Sequence, residues 1–228
     1  MNGNLAKELV KYTYKDYLTW DDKIRYELIN GTAYALASPT RTHQRISMEL
    51  SGLIWQFLRG KLCEVFHAPF DVRLNADDFD DIVVQPDIIV VCDESKHDGK
   101  SLKGAPDMVV EILSPSNSLH DIVTKFKLYQ NAGVREYWIV DPNTKMVQVY
   151  IINNGKYDVG SIYRDDDIIP IHVLKGCKIN LADIFQNADE TEIDGNQIIN
   201  KSKLINVLKE CGINDNQIEK IINNKNLY

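Results

Sequence analysis

The sequence predicts an α/β fold, a mixed central sheet flanked by helices with a small helical appendage at the C-terminus, and three features carry that reading. The first is Asn30-Gly31 between the apolar segments Tyr26–Ile29 and Thr32–Ala37. A type I′ turn needs positive φ at both central positions, which Asn and Gly tolerate, so the dipeptide marks a hairpin. The second is a helical period over residues 41–59, where His43, Ile46, Leu50, Ile54 and Phe57 recur at spacings of three and four. The third is a pair of nearly continuous apolar runs, Pro86–Cys92 and Asp107–Leu113, as in strands covered on both faces.

The other elements fall in order around these. Residues 12–20 read as a short helix capped by Thr13, with Asp16 completing a variant capping box. Val65–Leu74 reads as one strand, and a helix spans 118–131 before Gly133. Strands Glu136–Val140 and Met146–Ile152 flank a turn at Asp141-Pro142-Asn143-Thr144. The acidic run Asp77–Asp81 reads as a solvated loop, since it lacks the glycine and terminal glutamate of a calcium-binding loop. After Asn187 the composition shifts to Asn, Lys and Ile, and 199–211 and 214–224 read as two short helices. The expected organisation is therefore one domain over 1–187 and a helical extension over 188–228.

Composition narrows the function. A chain of 228 residues, 44% hydrophobic, can bury one sizeable core. No apolar run reaches the roughly 20 residues of a membrane-spanning helix. Residues 1–11 interleave Lys7, Glu8 and Lys11 with apolar residues, unlike a signal peptide, so a cytoplasmic location is expected. Cys63, Cys92, Cys177 and Cys211 are widely spaced, with no metal-binding pair, and are expected to be reduced thiols. The net charge of −7 argues against coating nucleic acid by bulk electrostatics, but a local basic strip is compatible with it.

Two carboxylates stand where acids are costly. Asp87 opens Ile-Ile-Val-Val, and Glu111 lies inside Met-Val-Val-Glu-Ile-Leu. Burying an uncompensated charge costs several kcal/mol, roughly, so each acid needs a partner. An arginine or a backbone amide would serve for one acid. Two acids on neighbouring buried strands point instead to a hard cation, and Mg²⁺ (or Mn²⁺) needs only one or two protein carboxylates. Strand alternation puts Glu111 on one face of its strand, and Gln85 and Asp87 on one face of theirs. If those faces meet, Asp87 and Glu111 converge, and the backbone carbonyl of Ile112 can supply a further ligand. His43, on its helix's apolar face, is either a core histidine or a support for that centre.

These residues carry a resemblance. Pro86-Asp87 followed by Glu111-Ile112-Leu113 is similar to the PD-(D/E)XK nuclease pattern, with Leu113 where that pattern has lysine. More narrowly, the chain resembles a restriction-endonuclease family, once a domain of unknown function, that is widespread in cyanobacteria. The matching residues are Tyr26-Glu27-Leu28-Ile29-Asn30-Gly31, Ser38-Pro39 with His43, Gln85-Pro86-Asp87-Ile88, Val110–Ser116, Asp121 with Lys125 and Tyr129, and Gly133–Pro142. The resemblance spans residues 12–185 and implies a restriction-endonuclease-like fold. It also implies that Asp87 and Glu111 bind the metal, that Glu27 lies near it, and that a lysine from the following helix replaces the missing one. Along that helix, periodicity places Lys125 and Lys127 equally well at the edges of the apolar face formed by Leu119, Ile122, Val123, Phe126 and Tyr129. The Lys-x-x-x-Tyr match selects Lys125; the alternative is an ordinary helical ion pair with Asp121.

The expected function is a metal-dependent DNA endonuclease, with Asp87, Glu111, Lys125 and Glu27 in its catalytic set and His43, Gln85 and Tyr129 in support. The alternatives are an inactive nuclease-fold module that binds nucleic acid or a protein partner, and a hydrolase of small phosphate esters. The C-terminal helices carry Ile199, Leu204, Leu208, Ile218, Ile221 and Ile222, which makes a homodimer one expected use of that apolar surface.

Overall fold

Asn30 and Gly31 adopt φ of 50° and 75°, and the hairpin they close is the first strand pair of the fold. A side chain at Gly31 would also meet Lys11 and the carbonyl of Tyr12, so both conformation and space require glycine there. The computed structural model describes residues 10–77, 79–114 and 119–186, together with Lys209 and Asp215. The two C-terminal helices read from the sequence, and the dimer based on them, lie outside the described residues.

In chain order, α1 (Tyr14–Tyr17) carries the expected capping box, in which Thr13 and Asp16 satisfy each other's backbone N–H groups. Strands β1 (Tyr26–Ile29) and β2 (Thr32–Ala35) form the hairpin. Helix α2 (Arg41–Leu58) follows, and its buried face is His43, Ile46, Ser47, Leu50, Ile54 and Leu58. Next come β3 (Glu64–His67), β4 (Asp71–Arg73), β5 (Val83–Val84), β6 (Ile88–Val91), β7 (Ser101–Lys103) and β8 (Met108–Ile112). After α3 (Leu119–Ala132) the chain adds β9 (Glu136–Asp141), β10 (Met146–Asn153), β11 (Lys156–Tyr157), β12 (Ser161–Arg164), β13 (Ile168–Pro170), β14 (Lys178–Asn180) and α4 (Leu181–Phe185).

The mixed central sheet runs β11-β10-β9-β8-β6-β3, with β12 also on β10; its β8–β9 pair is parallel and its other pairs are antiparallel. Alternation sorts its side chains onto two helices. Ile88, Val90, Met108, Val110 and Ile112 pack with Ile46, Leu50, Ile54 and Leu58 of α2. Ile89, Val91, Val109, Tyr137 and Ile139 pack with Ile122, Val123, Phe126 and Tyr129 of α3. Each fully buried aliphatic chain contributes about 1.5–3 kcal/mol, so coverage on both faces holds this sheet in place.

A second sheet, β2-β1-β5-β4-β7, stands apart from the single central sheet that the sequence predicts. The run Val65–Leu74 is two strands in two sheets, broken at the cis Ala68–Pro69 bond, and the returning arm changes sheet at Gln85-Pro86-Asp87. Proline has no N–H to give a ladder, so both crossings fall at prolines. Four residues (68–71) on one arm face three (85–87) on the other, a bulge that bends the hairpin between sheets. The N–H of Ala68 donates to the carbonyl of Asp87 at 3.0 Å and pins the seam.

Two further expectations are corrected. Cys63 and Cys92 form a disulfide, so the thiols are not all reduced. They lie directly beyond the Glu64–Val91 pair, and it is strand pairing, invisible in sequence spacing, that brings them together. Cys177 is free and buried. The acidic loop is also less solvated than expected. Asp80 pairs with Arg73, and the carbonyls of Asp80 and Asp81 accept from Tyr14 and Gly31. Among the described residues no helix is long and apolar enough to cross a membrane.

Candidate active site

The seam between the sheets is where the acids meet. The β6–β8 register pairs Ile88 with Val110, so Asp87 lies directly across from Glu111 at the strand ends. Asp87 Oδ2 accepts from the N–H of Ile112 at 2.7 Å and lies 3.1 Å from His43 Nε2. Ile112 lies beyond the last β6–β8 pair, where β6 has not begun, and its N–H bonds to the Asp87 carboxylate in place of a ladder carbonyl. Helix α2 delivers His43 from one side of the sheet, and α3 delivers Lys125 and Tyr129 from the other.

Lys125 Nζ lies 3.0 Å from Glu111 Oε1 and 3.0 Å from Glu27 Oε1. Tyr129 Oη donates to Glu111 Oε1 at 2.5 Å. Glu27, carried by β1 of the second sheet, also accepts from the N–H of Gln85 at 2.9 Å. The side chain of Gln85 donates through Nε2 to Asp71 Oδ1 at 2.8 Å and to Tyr17 Oη at 3.3 Å, and Tyr14 Oη donates to Asp71 Oδ2. Every candidate named from the sequence therefore belongs to one connected cluster. A cleft of about 380 Å³ opens onto it, lined among others by His43, Gln85, Asp87, Glu111, Ile112 and Lys125. Glu27 and Tyr129 stand behind that wall, buried.

Electrostatics single out Glu111. Burial raises its pKa to about 7; Lys125 opposes the rise, while Asp87 and Glu27 add to it. Burial works against the charge on Lys125, yet Glu111 and Glu27 outweigh it and hold the ammonium above its ordinary range. Burial, followed by Glu111 and Glu27, pushes the Tyr129 phenol far up, so it remains a donor. Asp71 is raised by burial against its hydrogen bonds from Gln85 and Tyr14.

Two carboxylates, Glu27 and Glu111, thus face one ammonium, and the third, Asp87, faces His43. No group of three or more His, Cys, Asp or Glu among the described residues is arranged as a metal cage, because Lys125 occupies the space between Glu27 and Glu111. The pair Asp87 and Glu111 is still a donor set that suits Mg²⁺, which keeps most of its waters. The mutual repulsion that raises Glu111 is relieved by a cation.

The structure also separates the two lysines that periodicity could not. Lys127 is exposed, beside Asn30, Asn75 and Thr124 at a different surface hollow. Lys125 reaches across to the second sheet, and the side chain of Asp121 lies outside the described residues. Sequence reasoning missed Asp71, Tyr14 and Tyr17, which act across the seam, and Arg25 at the cleft rim. No local pattern marks the tyrosines or Asp71, because Tyr14 and Tyr17 meet partners 57 and 68 residues away in sequence.

Comparison with known proteins now decides the family: residues 14–182 match the Uma2 family, described as "Putative restriction endonuclease". The chain belongs to the Uma2 family. It is 29% identical over 148 residues to an uncharacterized protein of Synechocystis sp. PCC 6803, covering 63% of this chain and 76% of that one. Its fold is similar to a crystal structure from Anabaena variabilis described as "a putative nuclease belonging to DUF820". That similarity has a TM-score of 0.64 at 20% identity and covers 78% of this chain and 99% of the other. The resemblance read from the motifs and the family match agree, and a nuclease-like role is what the Uma2 description supports.

Proposed function

We propose that this Uma2 protein is a divalent-metal-dependent DNA endonuclease that hydrolyses phosphodiester bonds in the seam cleft. The observation that supports it most is Asp87 facing Glu111 across β6–β8, with Lys125 of α3 against both Glu111 and Glu27. Asp87 and Glu111 would hold Mg²⁺ or Mn²⁺, with the carbonyl of Ile112 as a further oxygen. When bound, such an ion polarises the phosphate and lowers the pKa of an attacking water.

The protein's own residues do the rest. The N–H of Ile112 and His43 fix the Asp87 carboxylate, and Tyr129 fixes Glu111. Lys125, held protonated by its acids, cannot act as the base; it is suited to stabilise negative charge developing on the phosphate. Glu27, 3.0 Å from Lys125 Nζ, would keep that ammonium paired if Glu111 held a cation. Arg25 at the rim can meet a flanking phosphate.

One observation favours a second reading, a non-catalytic module that binds nucleic acid or a protein partner: Lys125 already neutralises Glu27 and Glu111. The test is cleavage of supercoiled and single-stranded DNA with Mg²⁺, with Mn²⁺ and with EDTA, by wild type and Asp87→Asn. Metal-dependent nicking lost in Asp87→Asn supports the enzyme. DNA binding without cleavage under any metal supports the module.

A further inference from the structure

Gln85 presents an acceptor with nothing to accept from. The residue is 8% exposed and lines the cleft beside Asp87 and Glu111. Both hydrogens of its Nε2 are committed, one to Asp71 Oδ1 and one to Tyr17 Oη. Its Oε1 is buried without a hydrogen-bond partner. A buried carbonyl left unpaired costs about 1–3 kcal/mol, so its retention calls for a donor or a cation that arrives from the cleft.

The orientation of the amide is imposed by its neighbours. Reversing it would set Oε1 against the Asp71 carboxylate, oxygen to oxygen, in a half-buried place. Asp71 is itself held by Tyr14 Oη, so the whole chain of contacts points the amide one way. Asp71 therefore dictates that the end of the amide left without a partner is an oxygen and not an N–H. An oxygen is the atom that suits a hydrated divalent cation, and an N–H would repel one.

We infer that Gln85 is a further member of the metal-holding set, taking a coordination position or the hydrogen bond of a metal-bound water through Oε1, and that Asp71 is its positioning residue. The inference rests on the metal reading of the cleft. It extends the site across the seam, since Asp71 and Tyr14 belong to the second sheet and α1.

The test is Mn²⁺ titration followed by electron paramagnetic resonance, with melting temperatures measured without metal. Gln85→Met keeps the volume and removes the oxygen; Mn²⁺ affinity is expected to fall about tenfold, as for partners that orient or surround metal ligands. Asp71→Asn makes both amide orientations acceptable, and affinity is expected to fall at least about twofold, the loss when half the amides are reversed. Its metal-free melting temperature should not drop, because a buried carboxylate has been replaced by a neutral group; a merely structural Asp71 would lower melting and affinity together. In the Gln85→Met background, Asp71→Asn should have no further effect on affinity. Wild-type affinity in Gln85→Met overturns the inference, as does an Asp71→Asn loss of equal size in both backgrounds. Absence of Mn²⁺ binding by wild type overturns the metal site and this inference with it.

Discussion

Two glutamates on the neighbouring strands β8 and β9 are buried to nearly the same degree and keep different company. Glu136 is 0% exposed, and its neighbours are donors: the indole N–H of Trp138 at 2.8 Å, the N–H of Val173 at 2.8 Å and His172 at 3.5 Å. Glu111 is 8% exposed, and its neighbours include two more acids and an open cleft. Burial raises both carboxyls; donors oppose the rise at Glu136, as Lys125 and Tyr129 do at Glu111, but at Glu111 alone two more acids, Asp87 and Glu27, push it further up. A buried acid ringed by donors is a brace. One that shares its pocket with other acids and a lysine is the acid we propose binds a cation.

The largest effect should come from exchanging each glutamate in turn. Glu111→Ala should lower metal-dependent DNA cleavage by at least about a thousandfold, the upper range for one charge-stabilising group. Glu136→Ala should leave the rate per folded molecule unchanged and cost about 2–5 kcal/mol in urea unfolding, because two buried N–H groups lose their acceptor. A reversed pattern would break the distinction. Lys125→Ala should cut kcat about a hundredfold or more without weakening Mn²⁺ binding, since it removes a competitor for the carboxylates. Lys127→Ala should change kcat by less than about twofold, as a surface substitution does.

The pH response sharpens the same contrast. A carboxylate binds a cation only when ionised, so if Glu111 holds the ion, Mn²⁺ affinity should rise as pH increases from about 5.5 through about 7 and then level off. Without metal the sign is opposite. The folded-state pKa of Glu111 lies above its unfolded value, so its contribution to stability is full below that unfolded value and is lost as pH rises through about 7. Melting temperature without metal should fall across that window in wild type, and that component should vanish in Glu111→Gln. The smallest effect concerns Tyr129→Phe. It removes a hydrogen bond that lowers the pKa of Glu111, so the pH midpoint of Mn²⁺ binding should move upward, with a stability loss of about 1 kcal/mol.

How much of this was legible in the sequence follows the range of the interactions involved. The Asn30-Gly31 turn, the Thr13–Asp16 capping box, α2 and α3 depend on neighbours within a few residues, and the sequence displays them. The convergence of Asp87 and Glu111 was legible because two-residue alternation fixes a face once the strands are adjacent. The break at Ala68–Pro69, the two-residue β5 and the separate second sheet were not, since such short strands are defined by distant partners. The same holds for the Cys63–Cys92 bond and for Asp71, whose role exists only across the seam. Phe57, counted on the buried face of α2, is only half-buried, and Leu58 takes its place at the end of that helix.

We propose that the acids at the seam bind a divalent cation and that the acid inside the sheet does not. Titration calorimetry with Mn²⁺ at pH 8, on wild type, Glu111→Gln and Glu136→Gln, tests it most directly. Binding is expected to wild type and to Glu136→Gln with the same affinity, and its loss in Glu111→Gln; equal binding by wild type and Glu111→Gln would contradict a cation at the seam.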